Sequence, residues 1–134
     1  MNNVQTIEQV YKWFSAGNAQ AILATFDPAI EFRLAQSHPY RGDGGAWSGP
    51  DAVVAHFFMK AGPEWDDWSM EVIAIHSLED TVVVEGRYHG VYKPTSRRMD
   101  VEVCHVWRFR DGKIAMFHQY VDTARLRVVM GRSL

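Results

Sequence analysis

The chain has 134 residues, 47% hydrophobic and 22% charged, which fits one folded domain over residues 1–134 and excludes a disordered chain. A net charge of −2 without a basic stripe excludes a nucleic-acid partner, and the single Cys104 excludes an internal disulfide or a cysteine-based zinc site. No stretch approaches transmembrane length and no basic-then-apolar signal opens the chain, so the expected setting is cytoplasmic, with no membrane partner.

Val4, Ile7, Val10, Tyr11 and Phe14 recur at helical spacing, which predicts a first helix over 3–16, capped by Asn2 or Asn3 and ended by Gly17. Asn18 can cap a short second helix holding Ile22, Leu23 and Phe26, with Asp27-Pro28 as its breaker. Ile30, Phe32 and Leu34 alternate with Glu31 and Arg33, a strand with one buried face. Residues 35–49 read as a long loop, the kind that often forms a lid or binding segment. Pro50 opens a third helix whose stripe is Val53, Val54, Phe57 and Phe58; His56 falls off that stripe. Residues 63–68 read as a connection pinned by Trp65 and Trp68.

The remainder is strand: 69–78, then 81–92, with Val82, Val84, Gly86, Tyr88, Gly90 and Tyr92 on the inner face and the two glycines permitting a bend. Next comes a hairpin around Asp111-Gly112, a strong turn signal because Gly supplies positive φ without steric cost. Its register is open. A two-residue loop pairs Arg110 with Lys113 and puts His105 and His118 on one face. A bulged three-residue loop pairs Phe109 with Lys113 and puts His105 beside Phe117 and Gln119, with His118 turned away. A short helix after Asp122, closed by Gly131, ends the chain.

This order is α+β, with helices over one face of a strongly curved, mainly antiparallel sheet that encloses a cone. Several runs resemble the nuclear transport factor 2-like superfamily, with SnoaL-like and ketosteroid-isomerase-related members as the nearest likeness. They are Ala16-Gly17-Asn18, Phe26-Asp27-Pro28-Ala29-Ile30-Glu31-Phe32, Tyr40-Arg41-Gly42, Gly49-Pro50-Asp51-Ala52-Val53, Trp107 through Ile114, and Tyr120-Val121-Asp122. The resemblance implies a cystatin-like cone with a ligand cavity, and it favours the bulged register. That register puts Val103, His105, Trp107, Phe109, Ala115, Phe117, Gln119 and Val121 inside.

The family's catalytic residues mostly fail to carry over. The isomerases' strand aspartate falls on Phe32, their helix-one tyrosine near Val10, and their second oxyanion donor on His105. The epoxide hydrolases' last-strand aspartate falls on Gln119, and their arginine-aspartate pair near Gly86 and Tyr88. What remains is His105 as acid or base, because a neutral imidazole both gives and takes a proton, set against the plainer reading of a hydrogen-bonded core histidine. The resemblance to the polyketide cyclases, which use an acidic residue near the end of the sheet, implies Asp122 as the second catalytic candidate, with helix capping as its alternative. Phe32, His38, Tyr88, Trp107, Phe117 and Gln119 are the candidate ligand-binding residues.

The implied function is acid–base chemistry without a cofactor (isomerase, cyclase, dehydratase or hydrolase type) on a small, apolar, ring-sized molecule; the alternative is binding such a molecule unchanged. No metal site is expected, since no helix offers histidines at i and i+4. In the bulged register Cys104, Val106, Ile114 and Met116 face outward, and leaving them in water is unfavourable. A homodimer through that outer sheet face is therefore expected.

Overall fold

The computed structural model describes residues 1–42 and 44–134. Helices α1 (Asn3–Ser15) and α2 (Ala19–Leu23) lead into strand β1 (Phe26–Arg33) and a short β2 (Ala46–Ser48). A helical segment follows: α3 (Pro50–Val53), a π-helical turn over Val54–Phe58, and α4 (Met59–Ala61). After a 3-10 turn come β3 (Trp65–Leu78), β4 (Thr81–Tyr92), β5 (Arg97–Arg110), β6 (Lys113–Val121) and α5 (Thr123–Val129). The six strands form one sheet in the order β2-β1-β6-β5-β4-β3, antiparallel except where β1 lies parallel to β6.

Local chemistry sets the helix ends. Asn2 accepts from Gln5 N at 2.8 Å while Gln5 Oε1 accepts from Asn2 N at 3.0 Å, a reciprocal cap that satisfies two otherwise free donors. Asn18 caps α2 by accepting from Ala21 N. The stripe of α1 buries Ile7, Val10 and Tyr11.

Four expectations about the bounds and types of the elements need correction. Phe26 lies on β1, not on the second helix, and Asp27-Pro28 sits within that strand. Phe26 pairs with Ile114 and Glu31 with Met116, so β1 makes an irregular excursion there, and proline's missing donor leaves no gap in the ladder. The 35–49 segment is not all loop, because Ala46–Ser48 pairs with Glu31–Arg33. Trp65 and Trp68 belong to β3, which starts four residues earlier than the reading from composition. The helix after Pro50 is not uniformly α-helical.

The hairpin combines features of both registers. Asp111 and Gly112 both have positive φ, 51° and 78°, and Arg110 pairs with Lys113, so the turn is the two-residue form. An extra residue then enters β6 between Ile114 and Met116, so Arg108 pairs with Met116 and His105 with Gln119. The bulge thus sits in the strand, at Ala115, not in the turn. Beyond it, Phe117 and Gln119 share the inner face with His105; before it, Ile114 points inward and is fully buried, not outward as expected.

Two more bulges, on β3, bend the sheet's other edge: one between Asp66 and Ser69, one between Val72 and Ala74. Gly86 and Gly90 lie opposite them. A Cβ on Gly86 would collide with Glu71 O and stand 2.6 Å from Met70 Cε, so the strands close on each other there only because that side chain is absent. Two apolar clusters line the concave face, one around Ile30, Phe32 and Trp107, the other around Tyr88, Met99 and Leu126; Tyr40 and Met70 pack against both. Among the described residues no helix is long and apolar enough to cross a membrane.

The Gly86 contact involves backbone, which cannot swing aside as a side chain would. Gly86→Ala is therefore expected to destabilise the fold by about 1–3 kcal/mol, read as a lower denaturant midpoint at unchanged slope. A midpoint equal to the parent's would mean that the tight approach does not shape the sheet.

Candidate functional site

A cavity of about 350 Å³ opens between the concave face and the helices. Its floor comes from the hairpin (His105, Trp107, Phe117, Gln119), with Phe32 from β1 and Tyr88 from β4. Tyr11 closes it from α1, His38 and Tyr40 from the loop after β1, and Phe57 and Phe58 from the π-helical turn. That turn is wider than an α-helical one, and both consecutive phenylalanines line the cavity. No Asp, Glu, Lys or Arg stands among the described lining residues.

The floor carries one polar chain. Trp107 Nε1–H donates to the Tyr11 hydroxyl at 3.1 Å, and that hydroxyl lies 2.8 Å from His105 Nδ1. His105 Nε2 is hydrogen-bonded to the Tyr88 hydroxyl, which also accepts from Gln119 Nε2 at 2.9 Å. The register explains the grouping: His105 faces Gln119 across β5–β6 and Val84 across β4–β5, which leaves Tyr88 four residues along on the same inner face. Aromatic rings pack around the imidazole, with Phe117 at 4.8 Å and Trp107 at 5.7 Å between centroids, both edge-on.

Burial sets the charge state. His105 is 3% exposed and its imidazole pKa is pulled down to about 3, because desolvation penalises the cation. Both tyrosines are pushed above the usual phenol range, again chiefly by burial. Near neutral pH the whole chain is uncharged. His105 is thus a poor free base; it holds two hydroxyls in place while remaining able to pass a proton between its nitrogens.

His38 makes a second polar point. Its Nδ1 accepts from Tyr40 N at 3.0 Å, which fixes the neutral tautomer with the proton on Nε2. Burial lowers its pKa to about 4. Tyr40 is tied in turn to Glu64 and accepts from Trp65 Nε1 at 3.1 Å, so the loop is anchored to the start of β3. Gln119 Oε1 is buried and, among the described residues, has no hydrogen-bond partner.

Of the candidates from sequence, Phe32, His38, Tyr88, His105, Trp107, Phe117 and Gln119 all line this cavity. Asp122 does not. It caps α5, accepting from Arg125 N at 3.1 Å, and its oxygen Oδ2 lies 3.8 Å from the Arg125 guanidinium. The capping alternative accounts for its contacts, worth about 0.5–2 kcal/mol. His118 lies on the opposite sheet face, stacked 4.1 Å from Tyr120.

The sequence reading missed Tyr11. The family's helix-one tyrosine was placed near Val10, yet it is the neighbouring Tyr11 whose hydroxyl reaches His105. Its signal was a hydroxyl within an otherwise apolar stripe, since a buried phenol needs a partner. Among the described residues no cluster of three or more His, Cys, Asp or Glu could hold a metal ion.

The SnoaL-like domain family matches residues 7–117. A solved NTF2-like protein from Burkholderia thailandensis is 32% identical, with a TM-score of 0.85 and coverage of 94% of this chain and 95% of that one. An NTF2-like protein of unknown function from Burkholderia pseudomallei is 24% identical, with a TM-score of 0.87 over 96% and 97% of the two chains. A putative SnoaL-like polyketide cyclase from Jannaschia is 17% identical, with a TM-score of 0.83 over 98% and 93%, a likeness of fold. Comparison with curated proteins finds no match. The chain belongs to the SnoaL-like domain family, within the nuclear transport factor 2-like superfamily.

Proposed function

We propose that the protein is a small-molecule enzyme of the acid–base type, acting on a neutral, apolar, ring-sized substrate held in the cone cavity. The observation that carries this reading is the uncharged Tyr11–His105–Tyr88 chain set in an aromatic floor. A volume of about 350 Å³ exceeds the roughly 150 Å³ that accepts benzene, so two or three fused rings fit. A lining without formal charge favours uncharged guests, because a buried unpaired ion is costly. Tyrosine hydroxyls placed against a carbonyl oxygen stabilise negative charge that develops there, which suits isomerase- or cyclase-type steps carried by side chains alone.

One observation favours a second reading, a binding protein that returns its ligand unchanged. By the family resemblance Phe32 falls where the isomerases carry a strand aspartate, and no carboxylate stands among the described lining residues. Native mass spectrometry of the purified protein, followed by incubation with the ligand it retains, separates the two. Turnover that falls at least tenfold in Tyr11→Phe and Tyr88→Phe supports the enzyme; an unaltered ligand supports the carrier. A cavity that holds nothing and binds neither 2-naphthol nor 2-tetralone sinks both.

The working state is neutral, and that fixes a pH dependence. Above pH 6.5 neither the folded nor the unfolded chain protonates His105 or His38, so there is no penalty. Below it the unfolded chain takes up protons that the folded chain refuses until about pH 4 at His38 and about pH 3 at His105. Stability is therefore expected to fall with pH from 6.5 towards 4, by about 1.4 kcal/mol per unit for each histidine. His105→Gln, which keeps hydrogen-bonding groups but does not titrate, should lose the His105 share of that slope. An unchanged slope in the variant would show that the imidazole is not held neutral.

We also propose self-association through the outer sheet face. Partly exposed Cys104, Val106 and Met116 and the exposed Tyr120 support it, although Ile114 is not part of that face. Light scattering at micromolar concentration should give twice the chain mass, and Val106→Lys should give the monomer.

A further inference from the structure

We infer that the chain Trp107–Tyr11–His105–Tyr88–Gln119 is a two-position proton switch. It offers the cavity one hydroxyl proton and one oxygen lone pair at a time, and exchanges their places when the imidazole changes tautomer. The inference rests on the reading above that the cavity holds a neutral ring-sized molecule, and it names the class: conjugated hydroxy-carbonyl compounds in their uncharged form.

Counting valences gives the argument. A phenol oxygen has one proton to give and two lone pairs to fill. On Tyr11 one lone pair is filled by Trp107 Nε1–H, and on Tyr88 one is filled by Gln119 Nε2–H. The neutral imidazole donates through one nitrogen and accepts through the other.

When the proton is on Nε2, His105 donates to Tyr88 and accepts from Tyr11. Tyr88 is then left with its own O–H, and Tyr11 with a free lone pair. When the proton is on Nδ1, the roles reverse: Tyr11 has the spare O–H and Tyr88 the spare lone pair. Among the described residues neither hydroxyl has a further protein partner, and both tyrosines line the cavity. The deep burial of all three rings keeps the charged alternatives out of reach, which limits the chain to these two neutral states.

A bound hydroxy-carbonyl compound turns the switch into a reaction. Its hydroxyl gives its proton to the Tyr88 oxygen, and the Tyr88 proton passes to Nε2. The Nδ1 proton passes to the Tyr11 oxygen, and the Tyr11 proton goes to the ligand's carbonyl oxygen. The ligand's O–H bond breaks at one end and forms at the other, with its conjugated double bonds shifted accordingly. The protein gains and loses no proton, and only the imidazole tautomer differs. The tyrosines are the catalytic residues here, and His105 is a positioning and relay residue, since both of its nitrogens are occupied by hydroxyls.

The test needs no substrate. In protein carrying ¹⁵N-histidine, the ring nitrogen shifts report the His105 tautomer, and the His105→Gln spectrum assigns it. Removing a hydroxyl leaves one nitrogen bare, and a buried N–H without an acceptor is worse than a bare lone pair. Tyr11→Phe should therefore enrich the Nε2–H form and Tyr88→Phe the Nδ1–H form, each about fivefold or more over the parent. The same tautomer ratio in all three proteins, or an imidazolium at pH 7, overturns the switch.

The wild-type protein gives a second arm should a variant not fold. The single carbonyl of 2-tetralone accepts from only one of the two hydroxyls. Saturation with it should leave one tautomer, the one that frees that hydroxyl's proton, while a bound state with both tautomers populated overturns the proposal. If neither 2-tetralone nor 2-naphthol binds, yet the two variants trap opposite tautomers, the switch stands and the ring-sized-guest reading falls.

Discussion

A polar chain of neutral groups inside an aromatic shell is the constraint on which the rest of this structure depends. Tyr11, Tyr88, His105 and Gln119 are all nearly inaccessible to water, and each is hydrogen-bonded to another member of the chain, Gln119 through its Nε2. They come from four different elements, so α1, β4, β5 and β6 have to meet within a few ångströms. Trp107 completes the set by covering the imidazole edge-on and donating its indole proton to Tyr11. Loss of either tyrosine hydroxyl leaves another buried group unpaired, Trp107 Nε1 for Tyr11 or Gln119 Nε2 for Tyr88, at a cost of about 1–3 kcal/mol. The same contacts hold the hairpin under the first helix.

The curvature that brings those elements together comes from irregularities. Bulges on β3 opposite Gly86 and Gly90, and a third at Ala115 of β6, bend a sheet that would otherwise be too flat to enclose the cavity. The bulge at Ala115 has a further effect. It lets a two-residue turn coexist with the inner placement of both Ile114 and Phe117, which strict alternation forbids because those positions lie three apart. The packing of Phe109 against Ile114 and the pairing of His105 with Gln119 both become possible within one hairpin.

How much of this was legible in the sequence follows from the same physics. The inner face of β4 reads directly from its period of two, and Val82, Val84, Tyr88 and Tyr92 are buried as that period requires. The caps at Asn2 and Asn18 were visible because few residues can perform that task. Turn chemistry also identified Asp111-Gly112, but a turn says nothing about an extra residue four positions later, so Ile114 was assigned to the wrong face. Phe26 was misplaced because proline's breaking of helices is a local rule, whereas the parallel pairing of β1 with β6 is a long-range one. The site was partly legible: seven of its residues are named by pattern and resemblance together, and Tyr11 was overlooked because a tyrosine in a helical apolar stripe looks like any other core residue.

The π-helical turn over Val54–Phe58 divides the cavity into two kinds of wall. The polar chain is carried by the sheet and α1, whereas Phe57 and Phe58 lie on a short helical segment that contributes none of it. A single-residue insertion or deletion in that segment would rotate the two rings relative to the cavity without disturbing the buried tyrosines. The width of the cavity and its polar groups are thus set by separate pieces of backbone, the first by the helical segment and the second by the sheet and α1.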